Sequence, residues 1–181
     1  MIHSPSEDRG ARLGDEDTDP QEGQGPFVLA DRSSIRTASV QLADRARREL
    51  LIFSRDLDPE FYDCRPFLDA VRRLALATPR LPVRVLVCDP RAAAIAGHRL
   101  IELTRRLSSR IAIRRVADDF RGRVDAFLVA DARGYCRRHS ADSHEAQVAF
   151  QAPGEAGRLR ADFQAIWEQS DADSELRRLY L

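Results

Sequence analysis

Short apolar segments alternate along this chain with segments in which apolar residues recur every three or four positions, and this alternation constrains the fold most strongly. Residues 50–53 form a short apolar run, and residues 82–88 carry valine at every second position. Ala126–Ala130 is apolar throughout, as expected for a strand buried on both faces. Extended and helical periods in this order predict an α/β fold, a sandwich in which a mixed β-sheet is flanked by helices.

Helix-start signals occur at four places. Ser33 or Ser34 is predicted to cap a first amphipathic helix that runs to residue 46. Prolines directly after Asp58 and Arg65 indicate two further starts, because proline fits the first turn of a helix. Asp89, also followed by proline, predicts a single long helix with its buried face continuing to residue 107.

The second half of the chain is predicted to contain a β-hairpin and a closing helix. Residues 131–134, Asp-Ala-Arg-Gly, have the composition of a tight turn between Ala126–Ala130 and a strand at residues 135–138. A further strand at residues 146–150 precedes a helix whose buried face includes Phe163 and Trp167. Antiparallel hairpin strands beside strands joined through helices make the predicted sheet mixed.

The first 26 residues differ in composition from the rest. Between Met1 and Pro26 there are seven acidic residues, two arginines and only two large apolar residues, so residues 1–26 are predicted to be a disordered acidic arm. Residues 27–181 are predicted to form one domain. Since the whole chain has a net charge of zero and the arm contributes −5, this domain carries +5. A basic domain favours anionic partners.

The composition excludes several classes of mechanism. All 29 basic residues are arginine, so Schiff-base chemistry, a Walker-type phosphate lysine and a Ser–Lys pair are excluded. Three cysteines are too few for a disulfide framework, and their number is odd. No apolar run approaches the ~20 residues of a membrane-spanning helix, and no secretory signal is recognisable. We therefore expect a cytoplasmic protein without cofactors.

The order of elements resembles the phospholipase D-like superfamily. The resemblance rests on residues 51–59, the helix through residues 67–71 and the strand at residues 83–89, and it extends over about residues 33–170. Enzymes of that superfamily use a His-x-Lys-x4-Asp motif, in which histidine attacks phosphorus and lysine binds a phosphoryl oxygen. When Asp131 is aligned with the motif's aspartate, Val124 and Ala126 stand in place of histidine and lysine. The resemblance therefore implies the fold, a homodimer and a degenerate active site.

A second resemblance concerns a narrower group. Residues 97–100, 105–111, 126–131 and 167–168 are similar to an uncharacterised bacterial family whose members occur alone or joined to an acetyltransferase domain. This resemblance implies a third possible role, that of an accessory domain for an acetyltransferase.

Arg115 and Arg123 are candidate ligands for an oxyanion. Arg115 is in phase with the isoleucines of its predicted strand, and Arg123 immediately precedes the central strand. Either guanidinium can hold an oxyanion through two parallel hydrogen bonds. The alternative for both arginines is a solvated strand end or an ion pair with Asp118 or Asp119. Asp131 is the third candidate, and its alternative role is that of a turn residue.

His98 is the fourth candidate, because it shares a helix stripe with Glu102 and Arg105 and could present its imidazole to a ligand. Pairing on the surface is the alternative. Metal-ligand residue types also cluster at Cys136, His139, Asp142 and His144, but their spacing lacks a close pair of cysteines or histidines, and no metal is predicted.

The sequence favours a non-catalytic module that binds a phosphate-bearing ligand or a protein partner. The alternatives are a phosphodiesterase or phosphatase with a site rebuilt around His98 or around a metal at His139 and His144, and the acetyltransferase accessory domain. Tyr135 beside Arg137 and Arg138 could stack on a base and pair with phosphates, which adds nucleic acid to the candidate partners.

Overall fold

Eight strands and six α-helices alternate along residues 25–172, which are the residues described by the computed structural model. A short 3₁₀ helix at Asp118–Phe120 follows β4. In chain order the strands and α-helices are β1 (Phe27–Leu29), α1 (Arg32–Arg45), β2 (Leu50–Ser54), α2 (Pro59–Tyr62), α3 (Arg65–Ala77), β3 (Val83–Val87), α4 (Arg91–Ile95), α5 (Arg99–Arg106), β4 (Ile111–Arg115), β5 (Ala126–Ala130), β6 (Gly134–Arg138), β7 (Ala146–Ala149), α6 (Pro153–Gln169) and β8 (Asp171–Ala172).

The strands form one mixed sheet in the order β1-β7-β6-β5-β2-β3-β4-β8. Strands β2, β3 and β4 are parallel, and every other neighbouring pair is antiparallel. The predicted mixed sheet flanked by helices is therefore confirmed. The carboxyl ends of β2, β3 and β4 lie along one edge together with the start of β5, and we call this the carboxyl edge. The opposite edge, where β2 starts and β5 ends, is the amino edge.

Alternate residues of the central strands face two hydrophobic layers. Leu50 and Ile52 of β2 pack against the layer formed by α1 to α5. Leu51 and Phe53 pack against α6 on the other face. Because both faces are covered, β2 and β5 are buried at every position, which explains their continuously apolar sequences.

The helix predicted as one element after Asp89 is two helices, and this prediction was wrong. Gly97 has φ +70°, a left-handed conformation that glycine adopts readily, and it separates α4 from α5. His98 then caps α5, since its side chain accepts a hydrogen bond from the backbone N–H of Leu100. The helical spacing of apolar residues continues across the break, so periodicity alone did not reveal it.

The first helix is capped by Asp31 rather than by either predicted serine. The Asp31 carboxylate accepts a hydrogen bond from the backbone N–H of Ser34 at 2.8 Å. Hydrogen bonds from Ser34 and Ser33 lower the pKa of this carboxyl to about 2.

Strands β1 and β8 were not predicted, because three and two residues are too few to show a period.

Within residues 25–172, no helix is long and apolar enough to cross a membrane. The predicted disordered arm lies outside the described residues, apart from Gly25 and Pro26.

Candidate functional site

A pocket of about 350 Å³ opens at the carboxyl edge of the sheet. Its lining comes from the segments after β2 and β3, the end of β4 and the turn after the 3₁₀ helix. The lining residues are Arg55, Cys88, Asp89, Arg91, Arg115 and Arg121. Ligands of open α/β sheets bind beyond the carboxyl ends of parallel strands. Four guanidinium groups beside one carboxylate in this described lining suit the pocket to an anion.

Arg115 is the sequence-predicted residue that lies in this pocket. It ends β4, where its backbone is in register with Val87 of β3. Its half-buried side chain forms no hydrogen bond or ion pair with any residue between 25 and 172. A guanidinium without a partner among these residues has its donors available for a ligand.

Two other pocket arginines are held by carboxylates on exposed segments. Arg55 donates to both carboxylate oxygens of Asp142 at 2.7 and 2.5 Å, and these hydrogen bonds raise its pKa and lower that of Asp142. Arg121 forms an ion pair with Asp118 at 2.7 Å. Both carboxylates are largely exposed to solvent, which screens these ion pairs, so an anionic ligand can compete for the two arginines.

The thiol of Cys88 forms part of the pocket wall. Burial raises its pKa, and the nearby guanidinium groups of Arg123 and Arg121 oppose this effect without reversing it. The thiol is therefore neutral near pH 7. A neutral thiol is a weak nucleophile, so its pKa gives no support to catalysis by Cys88.

Val124 and Ala126 occupy the positions where the resemblance places histidine and lysine. Val124 is exposed just before β5, and Ala126 is buried as its first residue. Neither side chain can attack phosphorus or neutralise a phosphoryl oxygen.

Arg123 does not line the pocket, although it was predicted as an anion ligand. Its guanidinium donates to both carboxylate oxygens of Asp125 at 2.9 and 2.7 Å and to Asp162 of α6 at 2.6 Å. It also stacks on Phe53, 4.9 Å from the ring centre. The structure thus places this arginine in the contact between β5 and α6.

Asp131 lies at the amino edge, on the side of the sheet away from the pocket. Its carboxylate accepts hydrogen bonds from the backbone N–H groups of Arg47, Arg48 and Glu49 at 2.8, 2.7 and 2.9 Å. Asp131, a candidate ligand from the sequence, is therefore not in the described lining of the pocket that contains Arg115. Asp131 instead joins the end of β5 to the start of β2.

His98 is buried between helices and lies outside the pocket lining. Its Nδ1 accepts the hydrogen bond from Leu100 at 3.2 Å, and its Nε2 has no hydrogen-bond partner within residues 25–172. Burial lowers the pKa of this imidazole, against the opposing charge of Asp63. His98 is therefore neutral near pH 7, and it does not form the predicted surface stripe with Glu102.

We expect the buried His98 to make stability depend on pH. Its pKa in the folded protein lies below 6.5, so the unfolded chain takes up the proton first. The free energy of unfolding should fall as the pH drops below about 6.5, by at most about 1.4 kcal/mol per pH unit. Chemical denaturation between pH 7.5 and 5 would measure this slope.

His98→Asn is the matched control, because asparagine can still cap α5 but does not titrate. The slope between pH 7 and about 5 should become shallower in this variant. An unchanged slope would show that other groups cause the pH dependence.

The loop with metal-ligand residue types does not form a metal site in the described part of the chain. No group of three or more histidine, cysteine, aspartate or glutamate side chains comes together within residues 25–172. Cys136 is buried against α1, His139 and His144 are exposed, and Asp142 is bound to Arg55.

Three pocket arginines were missed by the sequence analysis, namely Arg55, Arg91 and Arg121. A usable signal was present for two of them. Arg55 directly follows β2, and Arg91 follows β3 by four residues, so both lie beyond the carboxyl ends of parallel strands.

The solved structures that are similar to this chain include two proteins named Nuc and NucT and an archaeal chromatin protein. Nuc from Salmonella typhimurium, a phospholipase D family member, has a TM-score of 0.55 and 14% identity, with coverage of 82% of this chain and 99% of its own. NucT from Helicobacter pylori has a TM-score of 0.54 and 10% identity, with coverage of 82% and 98%. These similarities show the phospholipase D-like fold.

TrmBL2, an archaeal chromatin protein described as having a novel mode of DNA binding, has a TM-score of 0.58 and 13% identity. The match covers 84% of this chain and 55% of TrmBL2, so the chain spans about half of that protein. No curated protein matches the sequence. The family described as a domain of unknown function, DUF7931, matches residues 31–179. The chain therefore belongs to the DUF7931 family.

Proposed function

We propose that this protein is a non-catalytic phospholipase D-like module that binds a phosphate-bearing small molecule in the arginine-lined pocket. The observation that carries the proposal is the convergence of Arg55, Arg91, Arg115 and Arg121 on one pocket at the carboxyl edge. Guanidinium groups bind phosphate oxygens through paired, charge-assisted hydrogen bonds.

The residues at the motif positions and in the described lining of the pocket support binding rather than hydrolysis. Val124 and Ala126 replace the histidine and lysine of the enzyme motif, and the chain contains no lysine. His98 is buried outside the pocket lining, and Cys88 carries a neutral thiol. The phosphoryl-transfer site of the fold is thus degenerate in this protein, and the arginines keep the capacity to bind.

The other roles suggested by the sequence remain predictions. A protein partner, an acetyltransferase, nucleic acid and a second copy of the chain have no specific contact in the structure to favour them. The DNA-binding relative supports nucleic acid only through a shared fold.

Replacing Arg115 by alanine should weaken phosphate binding by about tenfold or more, because one charge-assisted contact contributes roughly 1.5–3 kcal/mol. Isothermal titration calorimetry with inorganic phosphate at low ionic strength would measure the change. Binding should weaken as salt is added, since the interaction is between charges. The free energy of unfolding should stay nearly unchanged, because the Arg115 side chain has no partner within residues 25–172.

Arg72→Ala is the matched control, since Arg72 is an exposed arginine of α3 outside the pocket lining. This variant removes the same charge and should bind phosphate as the unsubstituted protein does. Absence of any salt-sensitive phosphate binding, or an equal loss in both variants, would refute the proposal.

A further inference from the structure

The pocket is larger than a phosphate group requires. Its volume of about 350 Å³ corresponds to roughly twelve water molecules at liquid density. A phosphorus atom and its oxygens fill only part of that space. Pockets at the lower end of the usual range of about 300–1,000 Å³ accept small organic ligands. A phosphate bound to the arginines therefore leaves room for a second chemical group.

Asp89 sets the chemistry of the remaining space. It is the carboxylate in the described lining, and its backbone N–H donates to the carbonyl of Arg55 at 2.7 Å, which fixes its position beside β2. Its Oδ1 accepts a hydrogen bond from the backbone N–H of Arg91 at 3.1 Å. The side chain of Asp89 is exposed, so its other oxygen, Oδ2, is accessible to a ligand.

A fixed carboxylate with an open oxygen repels a second phosphate and accepts hydrogen bonds from hydroxyl groups. Sugar hydroxyls are bound by carboxylates in this way at the carboxyl ends of strands in other α/β folds. The described lining contains no aromatic side chain on which a nucleobase could stack. These features favour hydroxyl groups over a second phosphate and over a base.

We infer that the ligand is a phosphate monoester of a sugar or polyol, with the phosphate on the arginines and a hydroxyl group on Asp89. This inference rests on the proposed function, and it adds the class of ligand and a residue that determines specificity. Arg115 binds the charged end of the ligand, and Asp89 selects what the phosphate is attached to.

Two probes isolate the contribution of the hydroxyl groups. Propyl phosphate and glycerol phosphate carry the same phosphate group and differ only in their hydroxyl groups. Calorimetric titration with each therefore measures how much the hydroxyl groups contribute to affinity. Glycerol phosphate should bind about tenfold more tightly, as expected for hydrogen bonds to a charged acceptor. In Asp89→Ala the two affinities should become equal. Pyrophosphate should bind more tightly to this variant than to the unsubstituted protein, because the repelling charge is gone.

Asp119→Ala is the matched control, because Asp119 is an exposed carboxylate near the pocket but outside its lining. It should leave the ratio of the two affinities unchanged. Equal affinities in the unsubstituted protein, or a preference for glycerol phosphate that survives in Asp89→Ala, would overturn the inference while leaving phosphate binding intact. Failure of both probes and of inorganic phosphate to bind would instead refute the proposed function itself.

Discussion

Replacing Arg123 by methionine should lower the free energy of unfolding by about 3 kcal/mol. Arg123 is bound to Asp125 and Asp162 and covers the ring of Phe53. Methionine retains the contact with the ring but removes the ion pair between Arg123 and the nearly buried carboxylate of Asp125. Among the described residues, Asp125 then keeps Arg137, 3.7 Å away, as a cationic partner. Removing one partner of a buried ion pair costs about 3–5 kcal/mol, and we expect the lower end because Arg137 remains.

Denaturation in urea, followed by tryptophan fluorescence, would measure this loss. The chain has a single tryptophan, Trp167, which packs on Phe163 in α6, so its signal reports the layer in which Arg123 lies. A second substitution, Asp125→Asn, removes the uncompensated charge and should recover part of the stability in the double variant.

Arg121→Met is the control for Arg123→Met. Arg121 pairs with Asp118, which is largely exposed, so its loss should change stability by less than about 1 kcal/mol. The effects on phosphate binding should be the opposite of those on stability. Arg121→Met should bind phosphate more weakly than Arg123→Met does. If Arg123→Met folds normally and loses phosphate binding, Arg123 is a ligand residue and the sequence-based assignment was right.

The elements with the strongest local patterns were predictable from the sequence. Ala126–Ala130 and the alternating valines of β3 gave two central strands, because strands buried on one or both faces have distinctive patterns. The fold class followed from their alternation with helices. The division between α4 and α5 was missed because Gly97 and His98 interrupt the backbone but not the spacing of apolar residues.

The candidate site was predictable only where local sequence determines position. Arg115 was identified because it ends a strand whose phase is readable. Arg121 lies in an irregular segment, where no period indicates which way a side chain faces. Arg55 and Arg91 were missed although they follow the ends of β2 and β3. The role of Arg123 depends on Asp162, a residue 39 positions away whose proximity only the packing of α6 creates. A contact of this kind leaves no signal in the local sequence.

Asp131→Ala should also destabilise the protein by about 3 kcal/mol, although Asp131 is only partly buried and lies far from the pocket. The substitution removes hydrogen bonds from three consecutive backbone N–H groups to a charged acceptor. It also places alanine at φ +54°, a left-handed conformation that costs roughly 1–2 kcal/mol for most residues and less for aspartate or asparagine. Urea denaturation monitored by Trp167 fluorescence would measure the sum of both effects.

Asp131→Asn separates these two contributions. Asparagine tolerates the left-handed conformation and keeps one carbonyl acceptor, so we expect it to lose about half as much stability as alanine does. Neither variant should alter phosphate affinity at the carboxyl edge, because the carboxylate of Asp131 binds the backbone at the amino edge. A fall in phosphate affinity without a fall in stability would mean that Asp131 takes part in ligand binding, as its alignment with the enzyme motif first suggested. Loss of stability alone would mean that Asp131 serves to join β5 to the start of β2.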